Sequence, residues 1–156
     1  MSAVLVAIRV PAAPEDTFDA FTDEIGAWWQ PNALFQLTPR GDGILSFESR
    51  ERLITTLPSG KIFEIGRVTE WDRGARLAFT WRQANFTADQ ITSVDVTFEA
   101  VGDETRVTVT HRGWDTIPQD HVSRHTFPIA ATQMHLAKAW RASLTRFGAS
   151  IPDRSC

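Results

Sequence analysis

Apolar positions recur along this chain with two different periods, and the changes of period divide it into elements. Val4 to Val10 is a β-branched run ending at Pro11 and predicts a strand. Pro14-Glu15-Asp16-Thr17 reads as a helix start, with proline where a first turn tolerates it and two acids favoured by the dipole. Phe18, Phe21 and Ile25 follow at spacings of three and four residues. One helix or two short ones therefore fill 14–29, closed by Trp28-Trp29 and stopped by Pro31.

From about 44 to 113 the period becomes two. Strands are expected over 44–49, 52–57, 61–71, 75–82, 92–101 and 105–112. The turns between them are short, with Pro58-Ser59-Gly60, Asp72-Arg73-Gly74 and Gly102-Asp103-Glu104 the clearest. Leu77, Phe79 and Trp81 share one face, as do Val94, Val96 and Phe98, and then Val107, Val109 and His111. Half-buried strands joined without crossover helices describe an antiparallel meander. Gly66 marks a candidate bulge within its strand.

Helical period returns from Pro118 to Gly148. Met134, Ala137, Trp140, Leu144 and Phe147 make one apolar stripe, which predicts a helix from about 129, after the break at Pro128, to 147, with Gly148 as its stop. Strand, short helices, long meander and final helix together give an α+β fold with the helix laid across a curved sheet. One domain over 1–150 and a short tail over 151–156 are expected.

Charge and composition narrow the partners. The 156 residues carry 16 Lys and Arg against 19 Asp and Glu, a net charge of −3. A phosphate-backbone binder usually shows a basic excess, so no nucleic-acid partner is expected. Cys156 is the only cysteine, which excludes an internal disulfide framework. The N-terminus has no basic lead-in to its short apolar run, and no stretch approaches a membrane span. The expected setting is the cytoplasm, without membrane attachment, as a monomer or homodimer.

The element order β-α-α-β(6)-α resembles the helix-grip fold of the START-like (SRPBCC) superfamily. The wording is similar to the branch related to the activator of the heat-shock chaperone ATPase (AHSA1-like domains). The residues that carry this likeness are Trp28-Trp29, Gly66-Arg-Val-Thr-Glu-Trp71, Arg76-Leu-Ala-Phe-Thr-Trp81, Thr105-Arg-Val-Thr-Val-Thr-His111-Arg-Gly-Trp114 and Trp140-Arg-Ala-Ser-Leu144. It spans roughly 3–148. The resemblance implies an elongated apolar cavity between the sheet and the last helix, and no shared catalytic motif. Members include lipid and hormone binders, polyketide cyclases and aromatases, and chaperone activators.

Six Trp and ten Phe with no Tyr supply the rings for such a cavity. Trp28, Phe47, Phe79, Trp81, His111, Trp114, Met134 and Trp140 are the candidate lining; the same rings also suit a filled core. His111 continues the inward alternation of Val107 and Val109. It could contact a ligand oxygen or move a proton, or be satisfied inside the core like most buried histidines. Arg82 is a second candidate polar contact. Among Glu48, Arg50, Glu51, Arg52, Glu64 and Arg67, cross-strand pairing is the ordinary role, with one or two able to turn inward toward a ligand's polar head. His121 and His125, four apart beside Asp120, have helical spacing for zinc but no evident third ligand, so no metal is expected. No cofactor is expected, and no acid and base can be placed together for catalysis. The leading expectation is a protein that encloses a small hydrophobic or amphipathic molecule. A chaperone partner and a cyclase or aromatase are the alternatives.

Overall fold

Seven strands and three helices carry the residues described by the computed structural model, 3–29, 43–82, 91–113 and 129–151. β1 (Ala3–Val10) leads into α1 (Pro14–Asp23) and α2 (Ile25–Trp28). The meander follows as β2 (Ile44–Glu48), β3 (Arg52–Thr56), β4 (Ile62–Asp72), β5 (Arg76–Trp81), β6 (Thr92–Val101) and β7 (Glu104–Arg112). α3 (Ile129–Ser150) closes the order. The α+β reading and the sequence of elements hold throughout.

All seven strands form one curled antiparallel sheet in the order β1-β7-β6-β5-β4-β3-β2, so the first strand pairs with the last. Because side chains alternate across a pleated sheet, register alone builds apolar rows on its inner face. One row runs Val4, His111, Val94, Phe79, Val68, and the next runs Val6, Val109, Val96, Leu77, Trp71.

Two irregularities in β4 bend this surface, with register shifts against β3 near Leu53 and against β5 between Val68 and Glu70. Gly66 sits at the first. A Cβ there would lie 2.6 Å from the Thr80 carbonyl carbon and nearer still to its oxygen, so the strands approach as only glycine permits.

α1 lays Phe18 and Phe21 against this surface, with ring centroids 5.1 and 5.7 Å from Phe98. α3 buries Leu136, Trp140, Ser143, Leu144 and Phe147, and Ile151 just past its end is buried with them. Each fully buried aromatic or aliphatic side chain contributes ~1.5–3 kcal/mol relative to exposure.

Two expectations for α3 need correction. Met134 is 56% exposed, because it lies six residues before Trp140 and so about 120° round the helix from it; Leu136 takes the inner position. Gly148 does not stop the helix, which continues to Ser150 without a positive φ at that glycine. A Cβ at that position would meet Ile8 and Val10 of β1 at 3.6 and 3.7 Å, ordinary van der Waals contact.

Candidate functional site

His111 ends the β7 alternation fully buried, opposite Val4 on one side and Val94 on the other. Its Nδ1 accepts a hydrogen bond from the Trp140 indole N–H of α3 at 3.1 Å. An indole nitrogen can only donate, so Nδ1 carries no proton and the neutral ring is protonated at Nε2. Nε2–H then donates to the Thr92 hydroxyl at 2.8 Å, and that hydroxyl donates to the Trp81 carbonyl at 3.1 Å. Burial pushes the imidazole pKa down to about 3. His111 is therefore a neutral tie between sheet and final helix, and a proton carrier near neutral pH is not what this geometry makes.

Around that tie the rings are continuous. Trp81 lies 6.2 Å from Trp140 between centroids, and Trp29 touches both at 5.4 and 5.1 Å. Trp28 adjoins Trp29 at 6.1 Å and packs on Phe147 at 5.2 Å. In the other direction Trp81 meets Phe79 at 6.4 Å, Phe79 meets Phe47 at 5.5 Å, and Phe47 meets Trp71 at 5.6 Å. Most of these contacts are edge-to-face or tilted, as ring quadrupoles prefer.

The wall ends at an open groove of about 450 Å³ between α1, β2, the β2–β3 turn and the start of the β4–β5 turn. Phe47 and Trp71 line it half-buried, with Thr22, Ser46 and Ser49 as neutral polar groups and Asp19, Asp23, Arg50 and Arg73 as charges. Arg73 grips Asp19 with two hydrogen bonds of 2.9 and 2.6 Å. That bonding, opposed in part by desolvation and helped by the charges of Arg73 and Arg50, holds the Asp19 carboxyl below its ordinary value.

Arg50 is placed differently. Its guanidinium stands 5.7 Å from the centre of the Trp71 ring, within cation–π range. Ser49 and Arg50 both have positive φ, 55° and 60°, in a turn closed by Glu51 N–H to Glu48 C=O at 3.0 Å. Neither residue is one that visits this region readily, and such a conformation costs of order 1–3 kcal/mol each.

The predicted lining is thus divided. Trp28, Phe79, Trp81, His111 and Trp140 are buried and joined by ring contacts, Phe47 stands at the groove, and Met134 faces outward. Trp114, Asp120, His121 and His125 lie outside the described residues. Arg82 is exposed, since the strand alternation that buries Trp81 turns its neighbour away. Arg52 makes the expected cross-strand pairs with Glu48 and Glu64, at 2.6 and 3.4 Å, whereas Arg67 pairs with Glu64 within β4 at 3.4 Å. Thr92 and Asp19, and the positions of Trp71 and Arg73 at the groove, are not among the sequence's site candidates. Thr92 was legible, two residues before Val94 on the same inward face; the Asp19–Arg73 pair, 54 residues apart, was not. No cluster of three metal-ligating side chains occurs among the described residues, and no described helix is long and apolar enough to cross a membrane.

A family model for Activator of Hsp90 ATPase homolog 1-like protein matches residues 11–149. Protein CV1439 from Chromobacterium violaceum is similar in structure, with TM-score 0.64 and 19% identity over 98% of this chain and 100% of that one. The HSP90 activator PFC0360w from Plasmodium falciparum gives 0.60 and 18%, over 90% and 88% of the two chains. An anthrahydroquino-gamma-pyrone synthase, Txn09, gives 0.57 and 27%, over 97% of each. These likenesses establish the helix-grip fold. No curated protein sequence matches significantly.

Proposed function

The chain belongs to the Activator of Hsp90 ATPase homolog 1-like family, and from that premise we propose that it binds a small hydrophobic or amphipathic molecule where the aromatic wall opens into the groove beside α1. The observation that carries this reading is the course of the wall. Rings run from Trp81 through Phe79 and Phe47 to Trp71, and the last two remain half-open in a groove of about 450 Å³. That volume falls in the range of about 300–1,000 Å³ typical of small-ligand sites. Covering such rings is favourable by ~25 cal/mol per Å² of apolar surface removed from water.

The state of His111 favours binding over acid-base chemistry. Both ring nitrogens are hydrogen-bonded inside the protein, and its pKa of about 3 removes it from proton transfer at neutral pH. The synthase relative is named for a fused-ring product, and flat ring systems suit an aromatic wall best. Native mass spectrometry of gently purified protein, with solvent extraction, tests the reading. A stoichiometric small molecule supports it. Bare protein that also fails to take up planar aromatic probes counts against it.

The family match and the Plasmodium HSP90 activator favour a second reading, docking to a chaperone of that class. Its test is the ATP turnover of the purified chaperone with and without this protein. An unchanged rate together with no detectable complex sets it aside.

A further inference from the structure

We propose that the groove beside α1 recognises the acidic end of an aromatic molecule, with Arg50 as the anion contact and Phe47 and Trp71 as the apolar wall. The inference rests on the binding reading above and narrows it to an aromatic monoacid such as a carboxylate.

The four groove charges are not equivalent. Arg73 is committed to both oxygens of Asp19. Asp23 stands exposed on α1, and a cation held there would share the groove with two arginines. Arg50 has no carboxylate oxygen within 4 Å among the described residues, and its guanidinium carbon stands 5.7 Å from the centre of the Trp71 ring. An exposed guanidinium in cation–π range of a ring still has N–H groups that can fork onto a carboxylate.

The turn also fixes where that edge lies. Glu51 is fastened on both sides, its N–H to Glu48 and its C=O to the Val68 N–H at 2.8 Å. With Ser49 and Arg50 both confined to positive φ, the arginine is presented on a shaped turn. Ser46 and Ser49 line the same groove as further hydrogen-bonding groups. An aromatic acid packed against the Phe47 ring, beside Trp71, can thus meet Arg50 while keeping its apolar body in the groove.

The test uses the full chain and two probes of equal shape, 2-naphthoate and neutral 2-naphthamide, titrated by calorimetry into wild type, R50Q and R52Q. Arg52 is the charge control, because it is already paired with Glu48 and Glu64. The expected result is naphthoate at least about tenfold tighter than naphthamide, a preference erased by R50Q, kept by R52Q and weakened by salt. Equal affinities in wild type, or a preference that survives R50Q, overturn the acid inference while leaving a hydrophobic ligand standing. Absence of binding by either probe up to about 1 mM overturns both readings.

Discussion

The indole N–H of Trp140 donates to Nδ1 of His111 across 3.1 Å, joining the final helix to the last strand through a ring that must stay neutral. Protonating Nδ1 would set two N–H donors against each other in a site without water's dielectric.

That relationship gives the protein a pH dependence of known sign. In the unfolded chain His111 binds a proton below about pH 6.5, whereas in the fold it does so only near pH 3. Between those values the unfolded state holds more protons, so stability falls as pH falls and is level with respect to His111 above 6.5. The slope approaches ~1.4 kcal/mol per pH unit at most. Urea unfolding at pH 7.5, 6.5 and 5.5 reads it, with His111→Gln as the comparison. Equal slopes for wild type and variant would show that another group is responsible.

Thr92 relays the same tie, taking the proton side of His111 and passing its own hydroxyl to Trp81 C=O. Thr92→Val keeps the shape and removes both bonds, and is expected to cost about 1–3 kcal/mol. Thr92→Ser retains the hydroxyl and should lose less. Thermal melts of the two variants side by side check this; a valine variant as stable as the serine one would contradict the network.

Glycines 66 and 60 make a matched contrast. Gly66 faces the Thr80 carbonyl with no space for a Cβ, so Gly66→Ala forces β4 from β5 and should cost more than about 2 kcal/mol. Gly60 has φ of 89° but nothing within 4 Å, so Gly60→Ala meets only backbone strain of about 1 kcal/mol. Denaturant midpoints rank the pair, and a Gly66→Ala variant no worse than Gly60→Ala would mean the strands part easily.

What the sequence made legible follows from where each constraint is local. Alternation over Val107, Val109 and His111 placed the histidine inside, and turn chemistry at Pro58-Ser59-Gly60 placed the β3–β4 hairpin, because period and turn residues act over a few positions. The helix stripe was read one face off at Met134, since the apolar residues at 134 and 136 both fit a stripe until a partner surface chooses between them. His111's partners come from β6 and α3, and only tertiary packing brings them together. The groove was hidden for the same reason: its walls join α1 to strands and turns more than twenty residues away. Arg50, grouped by sequence with the cross-strand pairs, instead turned toward Trp71.

The β2–β3 turn offers the last prediction, which separates stability from recognition. Ser49 has φ of 55°, a region where a side chain is strained and glycine is not. Ser49→Gly should therefore stabilise the fold by about 1 kcal/mol, less any entropy the glycine adds to the unfolded chain. The same change frees the turn that presents Arg50 to the groove, so naphthoate affinity should fall while naphthamide affinity holds. Unfolding midpoints and calorimetric titrations on one preparation measure both. A variant that is more stable and equally selective for the acid would show that the strained turn is not what positions Arg50.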